Sequence, residues 1–235
     1  MDSAKTLRVA WMGVAGYAAS LELQNAIVAA RMREMAGDTL LLLEHPHVYT
    51  LGRGADERFV ISRTPAIPIH RVSRGGQVTY HGPGQLVGYP IIKLEGAERD
   101  VLRYLRKLEA AIIAALGRLG IAATRRAGMT GVWVGQRKIA SIGVGIRRWT
   151  TLHGFALNIA TDLAYFDAIV PCGIEGCRMT SIAHEGRPDA TMIDVAHLVA
   201  DAFVEEFGYS ASETVAADRL WSLLESAPSG CEAQK

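Results

Sequence analysis

Apolar residues recur at intervals of three and four positions in four stretches of the chain, which is the pattern of amphipathic helices. The first stretch ends at Gly37. The second follows Asp100, a residue type that caps helix N-termini well, and closes at Gly120. Thr191 and Asp194 form the S/T-x-x-D start of the third. The predicted helices therefore cover residues 17–36, 101–119, 192–207 and 214–225, and a frayed tail is expected after the last.

Short apolar or alternating runs lie between these helices and predict β-strands. The predicted strands cover residues 39–44, 48–51, 67–72, 86–94, 121–124, 131–134, 138–147 and 151–159. Because strands follow one another in runs instead of alternating strictly with helices, the order indicates an α+β (mixed α/β) fold with a mixed or mostly antiparallel sheet. No internal repeat or linker interrupts the pattern, so we expect a single domain over residues 1–235, with its core at about 15–210.

Composition narrows the class of protein but does not identify a function. The chain has 235 residues, 49% of them hydrophobic, and a net charge of +1, so it lacks the basic excess of a general nucleic-acid binder. No apolar run approaches the length of a membrane span, and the N-terminus lacks the pattern of a signal peptide. There are three cysteines: Cys172, Cys177 and Cys231. Because the set is small and odd in number, it fits a reducing compartment better than a disulfide framework, so we expect a cytoplasmic protein.

The most unusual stretch is the glycine-rich segment Arg74–Pro90. It contains five glycines, together with a fixed cation at Arg74 and a titratable imidazole at His81. A mobile hairpin would explain the glycines and prolines. The segment runs directly into an apolar strand, however, and backbone exposed at the mouth of a buried strand is typical of a ligand site.

Two further residues are candidates for chemistry. Cys172 lies between Pro171 and Gly173, in a sharp turn that can present its side chain at an exposed tip, although a small buried thiol is the commoner use of cysteine. Lys138 begins a strand of alternating small and β-branched residues. An amine there can pair with a thiolate and lower its pKa, although a solvated lysine at a strand end is the plainer interpretation.

Other motifs are absent or weak. Ser141 lacks a G-x-S-x-G elbow, which argues against a serine hydrolase. No P-loop or dinucleotide-binding glycine motif occurs. Cys172 and Cys177 form a C-x4-C pair, but no second pair and no histidine at ligand spacing accompany it, so no metal site is predicted. Isolated histidines are more often structural than catalytic, so no role is assigned to His45, His47, His70, His184 and His197.

Several segments together resemble the lipoyl(octanoyl) transferases, the octanoyl-[acyl carrier protein]:protein N-octanoyltransferases of lipoate biosynthesis. The resemblance covers roughly residues 20–210, and its motifs are long and occur in the family's order. The segments that carry it are Leu43–Gly52, Arg74–Pro90, Arg137–Gly143, Leu152–Asn158 and Pro171–Gly173.

The resemblance implies the mixed α/β fold of the biotin and lipoate ligases, with a large, mostly antiparallel sheet flanked by helices. It also implies a catalytic pair in which Cys172 takes the acyl group as a thioester and Lys138 activates it. No metal or other cofactor is implied, and backbone N–H groups of the Cys172–Gly173 turn are the candidate oxyanion donors. The implied substrate-binding residues are Arg74, Gly75, Gly76, Gln77, Val78, Thr79, Tyr80, His81, Ser141, Ile142, Gly143, Gly154, Phe155 and Ala156.

The same resemblance implies the partners. The donor would be octanoyl-acyl carrier protein, and the acceptors would be lysines on the lipoyl domains of 2-oxoacid dehydrogenases and on the glycine cleavage H protein. Neither a nucleic acid nor a membrane is expected to take part. Such protein partners are mostly acidic, so basic residues are candidates for a docking rim. The candidates are Arg74, Arg125, Arg126, Arg147 and Arg148.

Three alternatives stay open at this point. One is an ATP-dependent lipoate or biotin ligase on the same fold, which would not need Cys172. Another is an amidotransferase that moves octanoyl between two carrier proteins, and the third is a non-catalytic acyl-binding module. The role of Cys177 also stays open, because a second thiol five residues after the nucleophile can compete for acylation or oxidise with it.

Overall fold

The computed structural model describes residues 5–225 of the chain. Its four α-helices are α1 (Tyr17–Met32), α2 (Val101–Arg118), α3 (Met192–Phe207) and α4 (Ala217–Glu225). The first six strands are β1 (Thr6–Val14), β2 (Thr39–Glu44), β3 (Val48–Leu51), β4 (Ile69–Arg71), β5 (Val78–His81) and β6 (Gln85–Ile91). The other six are β7 (Thr124–Arg126), β8 (Met129–Val134), β9 (Arg137–Arg147), β10 (Thr150–Asn158), β11 (Arg178–Met179) and β12 (Ala211–Thr214).

Nine strands form one large sheet in the order β12-β1-β2-β6-β10-β9-β8-β7, with β11 added alongside β9. Strand β1 pairs in parallel with both β2 and β12, and β11 pairs in parallel with β9. The other neighbours are antiparallel. This mixed, mostly antiparallel sheet with helices confirms the fold class predicted from the order of the elements.

Helices cover both faces of the large sheet. On one face, Leu108 of α2 and Phe203 of α3 belong to the same buried cluster as residues of β2, β6 and β10. On the other face, Ile27 of α1 and Leu220 of α4 pack with a second set of residues from the same strands. Because the central strands contact helices on both sides, they are apolar throughout, as the four leucines of β2 are.

A small second sheet, in the order β4-β3-β5, lies beside the large one and carries part of the glycine-rich segment. Its buried cluster includes Tyr49, Val78 and Tyr80, together with Phe166 and Ile169 from the segment that precedes the cysteine turn. The small sheet therefore joins the glycine-rich segment to the loop that holds Cys172.

Two helix starts, those of α2 and α3, were predicted well because they depend on local caps. The Asp100 side chain accepts hydrogen bonds from Leu102 N and Arg103 N. Thr191 Oγ1 accepts one from Asp194 N and donates one to the Asp194 carboxylate. Both predicted N-termini are confirmed.

The predicted elements need correction at two boundaries and at the strands that were missed. The strand predicted at residues 121–124 begins only at Thr124. The last helix begins at Ala217 and not at residue 214, because residues 211–214 form β12 and pair with β1. Strands β1, β5, β11 and β12 were not predicted at all. The expected frayed tail and Cys231 lie outside the described residues. Within residues 5–225, no helix has the length and apolarity that a membrane crossing requires.

Candidate active site

Cys172 lies in a single 3-10 turn, Pro171–Gly173, between the small sheet and β11. Its backbone has a φ of 57°, in the left-handed region that non-glycine residues rarely adopt. Such a conformation costs on the order of 1–3 kcal/mol and is usually held in place by the surrounding structure. Here the turn is held by hydrogen bonds from Gly173 N to Val170 O and from Ile174 N to Pro171 O. The side chain is therefore presented in a fixed direction.

Lys138 is the second residue of β9 and is only 1% exposed. Its Nζ atom lies 3.0 Å from Cys172 Sγ and donates a hydrogen bond to it, as an ammonium does to a thiolate. It also lies 5.5 Å from the ring centroid of Trp133. Within residues 5–225, no carboxylate lies within ion-pair distance of Lys138, so the thiol is its nearest possible counter-ion.

The electrostatics of this pair favour the thiolate. Burial alone raises the pKa of the Cys172 thiol, but the charge and hydrogen bond of Lys138, a hydrogen bond with Ser141 and the charge of Arg74 lower it further. The net pKa of Cys172 is below its ordinary value. The Ser141 Oγ atom lies 3.7 Å from Sγ, within hydrogen-bond reach for sulfur.

Cys172 opens onto a cavity of about 400 Å³. Twelve of the sequence-predicted site residues line its wall: Arg74, Gly76, Gln77, Thr79, His81, Ser141, Ile142, Gly143, Gly154, Phe155, Ala156 and Cys172. Lys138 contacts Cys172 but is not part of the wall. Segments that are distant in the sequence therefore line the same cavity.

Arg74 is the fixed charge of this cavity. It is 7% exposed, and its two Nη atoms donate to the carbonyl oxygens of Thr50, Gly75 and Gln77 and to the Thr50 hydroxyl. Its Nε has no protein partner, and no carboxylate in the described part of the chain pairs with it. The guanidinium is therefore a buried, fixed positive charge beside the cavity, and Arg74 cannot belong to an exposed docking rim.

The cavity also contains two histidines that stay neutral near pH 7. Burial and the neighbouring His45 lower the pKa of His81 to about 3, and its Nδ1 is hydrogen-bonded to Gln85. Burial and the charge of Arg74 lower the pKa of His153 to about 4. His153 has a φ of 57° and no partner for its Nδ1 among the described residues. Neither imidazole is suited to hold a charge in this site.

Some predicted site residues are not part of the cavity wall. The side chains of Val78 and Tyr80 point to the opposite side of β5 and pack in the cluster of the small sheet, because side chains alternate along a strand. Gly75 is exposed, does not line the wall and donates its N–H to Val144 O.

One of the predicted oxyanion donors is occupied in this conformation, and the role of the turn stays a prediction. The Gly173 N–H is already bonded to Val170 O at 3.0 Å, so it is not free in this conformation. Lys138 Nζ and Ser141 Oγ are the hydrogen-bonding side-chain atoms found next to Sγ. They are the better candidates to stabilise negative charge that develops beside the sulfur.

Sequence reasoning missed several residues that shape the site. Tyr17 and Tyr89 line the cavity, although their positions on a helix and a strand had suggested only packing. Gly131 faces Lys138 so closely that a Cβ atom there would lie 2.5 Å from Lys138 Cε. Trp133, fully buried, lies under the amine. In the sequence, these neighbours of the lysine were signalled only by a glycine and a tryptophan, Gly131 and Trp133, in the strand that precedes Lys138.

The two described cysteines differ in reactivity. Burial raises the pKa of the Cys177 thiol, and the charge of Lys138 only partly offsets this, so its pKa lies above the ordinary value. Cys172, by contrast, has a lowered pKa. Of these two thiols, Cys172 is therefore the one whose surroundings favour the thiolate. Among residues 5–225, no group of three or more metal-binding side chains occurs.

The fold of this chain is shared with a known class of catalytic domain. The family described as the lipoyl protein ligase A/B catalytic domain matches residues 16–204. The lipoate protein ligase of the archaeal lipoylation system of Thermoplasma acidophilum has the same fold, with a TM-score of 0.73 at 18% identity over 94% of this chain and 92% of its own. A lipoate-protein ligase A bound with ATP has a TM-score of 0.72 at 18% identity, over 94% of both chains. These likenesses define the class of catalytic domain.

Curated relatives define the group within that class. An octanoyltransferase of Geotalea uraniireducens is 46% identical over 83% of this chain and 92% of its own length. One of Solibacter usitatus is 54% identical over 69% of this chain and 76% of its own. The chain belongs to the octanoyltransferase family and is an acyltransferase.

Proposed function

We propose that this acyltransferase moves an octanoyl group from octanoyl-acyl carrier protein to a lysine of a lipoyl domain, in protein lipoylation. Cys172 is the nucleophile and carries the acyl group as a thioester, and Lys138 is its acid and base. The observation that carries this proposal is the 3.0 Å contact between Lys138 Nζ and Cys172 Sγ at the cavity wall. The reaction needs no cofactor, and we place it in the cytoplasm, where the thiol stays reduced.

In the first half-reaction, the Cys172 thiolate attacks the carbonyl carbon of the donor thioester. A new carbon–sulfur bond to Cys172 forms as the bond to the carrier sulfur breaks. The leaving carrier thiolate takes a proton from the Lys138 ammonium, which becomes a neutral amine. Exchange of one thioester for another is nearly isoenergetic, so this step is reversible and requires no ATP.

In the second half-reaction, the acceptor lysine enters as a neutral amine and attacks the acyl carbon on Cys172. Lys138, now neutral, removes a proton from the attacking nitrogen as the amide forms. The Cys172 thiolate leaves and pairs again with the Lys138 ammonium. Because an amide is more stable than a thioester, this step draws the sequence forward.

The cavity suits an acyl chain beside the thiol. Ile142, Gly143, Phe155 and Ala156 supply an apolar wall from β9 and β10. Each methylene removed from water there stabilises the bound acyl group by about 0.8 kcal/mol.

The decisive experiment is intact-mass analysis after the protein is mixed with octanoyl-acyl carrier protein. We expect a gain of one octanoyl group that hydroxylamine removes and that Cys172→Ala abolishes. Cys177→Ser is the matched control and should acylate normally, since the pKa of Cys177 is raised. An unchanged mass, under conditions in which a known octanoyltransferase acylates, would refute the thioester mechanism.

An ATP-dependent ligase is the rival with structural support, because proteins of this fold include a lipoate-protein ligase bound with ATP. The two mechanisms differ in what they consume. If transfer to a lipoyl domain required ATP and survived Cys172→Ser, the ligase would be the correct assignment. Transfer without ATP that is lost in Cys172→Ser excludes it.

A further inference from the structure

A second groove lies beside the acyl cavity and has no role in the mechanism above. This outer groove has a volume of about 340 Å³ and includes Arg126, Trp133, Glu175 and Arg178 in its wall. Met129 and Ile174 line both the outer groove and the acyl cavity. The two spaces are therefore contiguous along these two side chains, at the edge of the site that holds Cys172.

The outer groove carries two cations without a protein counter-ion. Arg126 is half-buried and its guanidinium lies 4.7 Å from the ring centroid of Trp133, which fixes its plane. Arg178 is exposed at the start of β11. In the described part of the chain, neither side chain has a carboxylate within 4.0 Å. Their N–H donors are thus free for an anion, the kind of partner for which a guanidinium is suited.

The distance from this groove to the reacting sulfur is short. Arg126 Cζ lies 4.7 Å from the Trp133 centroid, Lys138 Nζ lies 5.5 Å from the same centroid, and Nζ lies 3.0 Å from Cys172 Sγ. Placed end to end, these separations put Arg126 Cζ within about 13 Å of Sγ. An anion bound by Arg126 therefore lies within the reach of one extended linker from the reacting sulfur.

We infer that the outer groove binds the phosphate of the donor's prosthetic arm, the pantetheine linker through which a carrier protein presents its thioester. An extended arm spans roughly 16 Å between sulfur and phosphorus, by standard bond lengths and angles. Because Arg126 Cζ lies no more than about 13 Å from Sγ, an arm of this length is long enough to place its phosphate at Arg126 while its thioester lies at Cys172. The inference rests on the proposed function, and it names the part of the donor that this groove recognises.

One residue of the outer groove opposes an anion and so provides an internal test. Glu175 is exposed in the same wall and forms no salt bridge with either arginine in the described residues. If the groove binds phosphate, removing this negative charge improves donor binding, whereas removing either arginine weakens it. Opposite effects of neighbouring substitutions cannot come from a general loss of structure.

The experiment compares two small donors, octanoyl-pantetheine and octanoyl-4′-phosphopantetheine, with an isolated lipoyl domain as acceptor. We expect the native enzyme to favour the phosphorylated donor about tenfold in kcat/KM, through KM, as suits one or two charge-assisted hydrogen bonds at a partly exposed site. In Arg126→Gln/Arg178→Gln this preference should fall to about one, with the phosphate-free donor unaffected. Glu175→Gln should increase the preference, and Arg99→Gln, an exposed arginine outside the groove, should leave it unchanged.

Any of three results would overturn the inference. One is an equal rate with both donors in the native enzyme, and another is a phosphate preference that survives the double substitution. An effect of the arginines on the KM of the lipoyl domain alone would also refute it, because the groove would then serve the acceptor. If octanoyl-acyl carrier protein itself did not acylate Cys172, the proposed function would fail, and this inference with it.

Discussion

Replacing Lys138 by methionine tests whether this amine is what keeps Cys172 ionised. Methionine keeps most of the volume and removes only the charge and the donor. Two unit charges 3.0 Å apart interact by about 5 kcal/mol at an effective dielectric constant of ~20, which corresponds to about four pKa units. This is an upper limit, because water that enters the site screens the remaining charges.

Arg74 and Ser141 stay in place in the variant and still favour the thiolate, while burial opposes it. We therefore expect the pKa of Cys172 to rise by at least about two units, to a value above that of an ordinary cysteine. At a pH below both pKa values the thiolate fraction, and with it the rate of alkylation, should fall about 100-fold. Octanoyl transfer should fall by about 10² to 10⁴, since the proton carrier is lost as well.

The assay is the rate of alkylation by iodoacetamide as a function of pH, in a Cys177→Ser/Cys231→Ser background so that only Cys172 reacts. Lys5→Met is the matched control, because Lys5 forms only an exposed ion pair with Glu95. The control should titrate like the parent protein. If Lys138→Met and the parent titrated at the same pH, the amine would not be what activates the thiol, and the acid–base role would have to be abandoned.

Three further predictions concern stability and the shape of the site. Lys138→Met should not lower the melting temperature, because an apolar side chain replaces a buried ammonium; a loss of several degrees would assign a structural role to the amine. Gly131→Ala should slow transfer and raise the pH midpoint of alkylation, since its Cβ would lie 2.5 Å from Lys138 Cε; an unchanged midpoint would contradict this contact. Acid should destabilise the fold, because three buried histidines have a pKa below their unfolded value of 6.5: His45 (about 4), His81 (about 3) and His153 (about 4). Their contribution is complete above pH 6.5 and is lost as the pH falls toward 4, because the unfolded chain binds the protons. Urea unfolding at pH 5 should therefore show up to about 6 kcal/mol less stability than at pH 7.5, and equal midpoints would refute the shifts.

The parts of the fold that were predictable are those with a local cause. Asp100 and Thr191 cap their helices with their own side chains, so the helix starts can be read from a few neighbouring residues. Strand β12 has no such signal. Its four residues are exposed and polar or small, and they form a strand only because β1 offers them a parallel edge. Pairing of this kind depends on the whole sheet and cannot be derived from the segment itself.

Strand β1 was missed for a different reason: its apolar residues are visible in the sequence, but they lie on both faces of the strand. Leu7 packs on one side of the sheet, and Ala10 and Met12 pack on the other. A strand buried on both faces has no clean alternation of apolar and polar residues, and only its β-branched and aromatic content separates it from an N-terminal extension. Missing it also hid the parallel part of the sheet.

The resemblance to a family supplied the candidate site, but only the fold explains why Cys172 and Lys138 meet. They are 34 residues apart in sequence. Strand β11 runs parallel to the start of β9 and pairs Met179 with Lys138, which brings the preceding turn over the amine. That turn requires a left-handed cysteine, and the amine requires a neighbour without a side chain at Gly131. Each condition is set by a different part of the chain, so the reactivity of the thiol is a property of the assembled sheet and not of any one motif.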